Sequence, residues 1–208
     1  MFVGHYGVSF VASRADRKLP LWLTFLAVQW LDVMWAIFIM LGIEKARIVP
    51  GITAANPLDL YYVPFTHSLT AALGWSLLAT LAFAWLRRPA GQWKSAWILG
   101  ATVFSHWVLD LVVHRPDLPL YDDSAKVGLG LWNHPVAAFL LEAAIFVVGF
   151  ALYWKCIPGT KRRAAFGLFG ALILLIHVGM FYGPPPESIR QAAFMGLITY
   201  AAFAWGAY

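Results

Sequence analysis

The stretch Ser105-His106-Trp107-Val108-Leu109-Asp110-Leu111-Val112-Val113-His114-Arg115-Pro116-Asp117 closes an otherwise apolar run. His106, Asp110 and His114 recur at i, i+4 and i+8, so on a helix the three stack on one face. That face cannot be turned to lipid, where one ionisable side chain at the bilayer centre costs about 3 kcal/mol even on the milder scales. Two imidazoles with a carboxylate between them can hold metal ions with little backbone rearrangement. A stripe satisfied by hydrogen bonds to other helices is the plainer reading of one such residue. Three in register favour a metal.

The rest of the chain decides what surrounds that stripe. Its 208 residues are 61% hydrophobic and only 12% charged, with a mean hydropathy of +0.70. Soluble domains carry about 25% charged residues, so the composition predicts an integral membrane protein. The formal charge of +5 is spread over short segments between apolar runs. Membrane orientation explains that pattern, and no nucleic-acid partner is expected. A single cysteine, Cys156, excludes an intrachain disulfide and a multi-cysteine metal site.

Working outward from the stretch, residues 93–113 form the third of the long apolar spans. Before it lie residues 19–42, with Pro20 at the start and Asp32 near the middle, and residues 63–86, with Thr66-His67-Ser68 close to the start. After it come a loop over 114–132, a span from Asn133-His134-Pro135 to Trp154 that includes Glu142, and a span over 164–182 containing His177. A weaker span covers 189–208 beyond Pro184-Pro185-Pro186. Segments of this length cross a hydrocarbon core of about 30 Å. Residues 1–13 are mildly apolar, lack the basic start and cleavage site of a signal peptide, and are expected to stay as a short re-entrant or interfacial helix. The expected architecture is all-α and polytopic: one helical membrane domain over 1–208 with five to six transmembrane helices, a metal-site core over about 1–142, and accessory helices over 164–208. Residues 44–62 read as a loop, with Pro50-Gly51 and Asn56-Pro57 turns; Pro89 and Gly91 mark another turn.

Basic residues alternate between rich and poor loops. Arg14, Arg17 and Lys18, then Arg87, Arg88 and Lys94, then Lys155, Lys161, Arg162 and Arg163 fall on one side; Lys45, Arg47, Arg115 and Lys126 fall on the other. The positive-inside rule puts the richer set in the cytoplasm. His67, the His106 to His114 stripe and His134 then share a depth toward the outer face. Asp32 sits deeper, without a Lys or Arg at its level. His5 reaches the same level only if the N-terminal segment re-enters, which is allowed where protein surrounds it. The candidate metal ligands are therefore His5, Asp32, His67, His106, Asp110, His114 and His134.

The order His5, Asp32, Thr66-His67-Ser68-Leu69, then His106 with Asp110, resembles the bacterial inner-membrane metal-dependent hydrolases known as LexA-binding, inner-membrane-associated hydrolases. It is also similar to the ligand order of the soluble zinc-dependent phospholipase C and single-strand nuclease group, helical enzymes with three zinc ions. The resemblance covers residues 1–142. It implies a phosphoester hydrolase in which His5, Asp32, His67, His106 and Asp110 hold metal and His114 begins a further site. Met1-Phe2 stands where the soluble enzymes have a processed tryptophan, so one or two ions are expected rather than three.

The donor set suits zinc, with manganese or iron able to take the same nitrogen and oxygen ligands. Asp32 is expected to bridge metals or accept a proton from water, Arg115 to balance phosphate charge, and Asp117 to act as a ligand or as the partner of a metal-bound imidazole. A site near the outer leaflet can receive a headgroup without lifting its tail from the membrane, so the expected substrate is a lipid or lipid-linked phosphoester in the bacterial inner membrane. An iron-dependent redox enzyme and a non-catalytic transport or regulatory protein use the same residues. A polar track running past Asp32 to the cytoplasmic side would mark transport, and a pocket closed below would mark an enzyme.

Overall fold

A computed structural model of the chain describes residues 1–87 and 92–208. The turn expected at Pro89 and Gly91, with Arg88, lies outside the described residues. Among the described residues four helices are long and apolar enough to cross a membrane: α4 (Leu69–Leu86), α5 (Trp93–Val113), α6 (Pro135–Trp154) and α7 (Thr160–Tyr182). A fifth span is made by α2 (Leu21–Val28) and α3 (Trp30–Leu41) taken together. By helix length and hydropathy the chain is a multi-pass membrane protein. The remaining helices are α1 (Val3–Ala15) and α8 (Ile189–Gly206). The weak sixth span thus forms a helix, but α8 is not among those apolar enough to qualify.

The 13 residues of α1 reach about 20 Å, too short to span. They run inside the bundle, with His5, Tyr6 and Phe10 fully buried. Close packing on α6 depends on two glycines: a Cβ on Gly7 would meet the Ile145 carbonyl at 2.3 Å, and one on Gly149 would meet the Gly7 carbonyl at 2.1 Å. Small residues at such crossings let backbones touch where no hydrophobic effect drives association. Around this inner helix, Leu77, Leu78, Leu81, Val148, Leu168 and Leu175 are exposed on the outer faces of the spans. In water that surface would aggregate; in a bilayer it is the solvated one.

The span over 19–42 is not one rod. It breaks at Gln29 with a 53° bend. His106 Nδ1 lies 2.7 Å from the Val28 carbonyl, the group that would otherwise accept from the next turn of helix. A side chain inserted into the i to i−4 ladder is a recognised cause of kinks. The break makes Asp32 a first-turn residue of α3, where the helix dipole favours a carboxylate.

Residues 44–62, read from sequence as a loop, contain an antiparallel ribbon of β1 (Lys45–Ile48) and β2 (Leu58–Tyr62), pairing Arg47 with Asp59. Ala46, Asp59 and Leu60 are buried; the two adjacent buried residues of β2 break the alternation by which a strand is read from sequence. The span expected over 63–86 starts late. Residues 63–68 stay outside the helix, and Ser68 caps α4 by accepting from Ala71 N at 3.1 Å.

Candidate metal centre

Six of the seven candidate ligands meet in space. His5 comes from α1, Asp32 from the first turn of α3, His67 from the turn before α4, His106 and Asp110 from successive turns of α5, and His114 from the residue that ends α5. All but Asp32 are buried. Asp110 is the hub: its Oδ2 is 3.1 Å from His106 Nε2 and 3.7 Å from both His67 Nε2 and His114 Nε2, while its Oδ1 is 3.2 Å from His5 Nε2. Asp32 Oδ1 lies 3.3 Å from His67 Nε2 and 3.5 Å from His106 Nε2. Two triads result, His5 with His106 and Asp110, and Asp32 with His67 and His106, each with ligand atoms within 4.8 Å of one another. Donors that share a tetrahedral ion at about 2.0–2.1 Å stand about 3.3 Å apart. The spacing fits.

Proton accounting points the same way. The Val28 carbonyl can only accept, so His106 Nδ1 carries a proton and donates. That leaves Nε2 as the ring's coordinating atom, and it is buried without a hydrogen-bond partner among the described residues although two carboxylates flank it. His67 is fixed similarly: Thr66 Oγ1 donates to Glu44 Oε2 at 2.6 Å and is 2.8 Å from His67 Nδ1, whose proton it accepts. His114 Nδ1 donates to Asp117 Oδ1 at 3.0 Å. Three imidazoles therefore turn Nε2 toward carboxylate oxygens, each oriented by an oxygen behind it, the arrangement found around bound metals. His5 and His106 stack at 3.9 Å and 6°, which suits two neutral rings better than two cations. The donor set accordingly suits a metal ion: a buried His/Asp cluster in a helical membrane protein, able to hold one.

Several supporting residues surround the cluster, and of these only Glu142 stands out in the sequence. Tyr200 on α8 donates to Asp32 Oδ2 at 2.9 Å, although α8 lies outside the stretch that carries the resemblance. The Met1 amine donates to Asp110 Oδ1 at 2.5 Å. Glu142 Oε2 accepts from the backbone of Phe2 at 2.9 Å and Gly4 at 3.4 Å, holding α1 in register with α6. Glu44 also accepts from the backbone of Phe65 and Thr66; burial raises its carboxyl above the usual range, and these donors pull it back.

The structure sets His134 and Arg115 away from the cluster and keeps one of the two readings of Asp117. His134 caps α6 in an exposed position and shares no ion-pair contact with the cluster among the described residues, because Pro135 starts the helix with that imidazole turned outward. Arg115 pairs with Asp59 on β2 and lies 3.4 Å from Asp117 Oδ2, so its charge is engaged away from the cavity wall. Asp117 is buried between Arg115 and His114 and does not line the cavity, which makes it the carboxylate behind an imidazole.

A cavity of about 110 Å³ lies against the cluster. Asp32, His67, Asp110 and His114 form its polar wall, while Trp35, Leu58, Leu60, Trp132, Met180 and Phe181 supply apolar surface. In comparison with known proteins, no family model, no curated protein and no solved structure matches the chain.

Proposed function

We propose that this chain is a membrane-embedded, metal-dependent hydrolase acting on a phosphoester in a lipid or lipid-linked substrate, its site opening toward the outer face of a bacterial inner membrane. The observation that carries this reading is the partnerless His106 Nε2 between Asp32 and Asp110, beside a cavity walled by both carboxylates. His5, Asp32, His67, His106 and Asp110 would hold one or two ions, with His114 completing a second position. Zinc is the preferred ion for these donors, with manganese or iron next.

A bound ion of this kind supplies a Lewis acid and lowers the pKa of its water from about 15.7 to about 7. The chain's own residues do the rest. Thr66 and Glu44 lock the His67 tautomer, Asp117 does the same for His114, and Tyr200 steadies Asp32, the carboxylate in the cavity wall that receives the proton of an attacking water. The apolar wall suits the glycerol and chain-proximal part of a lipid. Thr66-His67-Ser68 and the order of ligands, which resemble those of metal-dependent membrane hydrolases, support the phosphoester.

The test is elemental analysis of detergent-purified protein together with release of phosphate-bearing headgroups from phospholipids. Stoichiometric zinc and turnover, both lost in His106→Ala and Asp110→Asn, are expected. Metal-free protein, or variants that hydrolyse like the wild type, would overturn the proposal.

A further inference from the structure

His177 is the buried imidazole that the metal cluster does not use. It lies on α7, is 1% exposed, and forms part of the cavity wall together with Glu142 and Met180. Its ring is held on both sides: it stacks on Phe139 at 4.5 Å and 13° and meets the edge of Phe181 at 4.9 Å. Nε2 is 3.1 Å from the Phe139 carbonyl, which can only accept, so Nε2 carries the proton. In the neutral ring Nδ1 is then a lone-pair acceptor. It is buried and has no hydrogen-bond partner among the described residues.

An unmet acceptor in an apolar setting is unfavourable unless something donates to it. The cavity lining does hold donors, Trp35 Nε1 and the Asn56 amide among them, but none is hydrogen-bonded to Nδ1 among the described residues. It contains no Lys or Arg, and its one cation, the Met1 amine, is engaged by Asp110. Glu142, the other acid on that side, adds acceptor capacity: its Oε2 takes the Phe2 and Gly4 amides, and its Oε1 enters no hydrogen bond among the described residues. Nδ1 is thus left without a donor from the described residues, and a ligand in the cavity can bring one.

We propose that His177 Nδ1 accepts a hydrogen bond from a donor on the ligand's headgroup, so that the cavity selects lipids whose headgroup carries a hydroxyl or primary ammonium group over those whose headgroup carries none. This rests on the reading of the cavity as a lipid-phosphoester site and adds to it the class of headgroup. His177 is a specificity-determining residue; the metal ligands do not depend on it.

The experiment compares phosphatidylglycerol with phosphatidylmethanol of the same chains, two lipids of equal charge that differ in headgroup hydroxyls. Native mass spectrometry of the full, zinc-loaded protein with both lipids in competition reads retention, and headgroup release is measured in parallel. The wild type is expected to retain phosphatidylglycerol about fivefold better, the worth of one net hydrogen bond. His177→Phe, which keeps the aromatic packing and removes the acceptor, should bring the ratio to about one. His177→Asn, whose amide oxygen can take the Nδ1 position, should recover part of the preference and guards against a folding artefact in the phenylalanine variant. Equal retention by the wild type, or a preference that survives in His177→Phe, overturns the inference. Preference without hydrolysis would sink the proposed activity and leave this inference standing; hydrolysis without preference would do the reverse.

Discussion

The two halves of the bundle handle buried polarity in opposite ways. Toward the basic loops, Phe10, Phe25, Phe146, Ile173 and Phe203 interlock, and the Ser9 and Thr24 hydroxyls beside them are closed on the backbone, although the Tyr6 hydroxyl has no partner among the described residues: Ser9 donates to the Thr24 carbonyl at 2.9 Å, and Thr24 donates to the Leu21 carbonyl at 2.9 Å. Toward the other end, Asp32, Asp110 and the imidazoles face one another with nitrogens left over. A self-satisfied hydroxyl seam glues helices; a carboxylate–imidazole cluster with spare lone pairs retains binding capacity. The aromatic half adjoins the cluster along α1, where Tyr6 and Phe10 follow His5.

The sharpest way to break this contrast is to remove the hub. Asp110→Ala should lower metal affinity by more than about a thousandfold, since every imidazole of the cluster converges on that carboxylate and a buried site stripped of it has uncompensated neighbours; metal retained through dialysis would show that the halves do not differ as described. Phe146→Ala, in the other half, should cost about 3–5 kcal/mol of stability while leaving metal stoichiometry unchanged. Loss of metal in that variant would mean that the aromatic half helps form the site.

Finer tests act behind the ligands. Thr66→Val cuts the link from Glu44 to His67 and should weaken zinc binding about 10- to 100-fold, read by competition with a chelating dye. Tyr200→Phe removes a single hydrogen bond to Asp32 and should weaken it less, by about tenfold. The smallest effect belongs to the basic end. Ser95 donates to Asp16 at 2.6 Å and holds that carboxyl below its usual 3.8. A depressed carboxylate stabilises the fold above its unfolded pKa and ceases to do so as pH falls through the folded value. Ser95→Ala should therefore melt slightly lower at pH 7, with the gap closing below pH 3.8 and metal content untouched.

Much of the cluster was legible because membrane interiors make ionisable residues conspicuous. His106 and Asp110 announced themselves by spacing, and Asp32 by standing alone in an apolar run. Other features depended on partners far along the chain. His106 reaches back 78 residues to bend the span at Val28, and Tyr200 reaches 168 residues to Asp32. Neither contact leaves a local pattern. His134 is the converse case: its place at a helix start is plain from Pro135, but that place does not say which way the ring will point.

Hydropathy and ionisability belong to individual residues, so composition and order alone determined that this chain crosses a membrane several times and carries His and Asp where lipid forbids them. Which of those groups meet, which carboxylate lies behind which imidazole, and that Arg115 is held by Asp59 were decided only when the helices packed. Direction and distance come from contacts between segments that the linear order leaves apart.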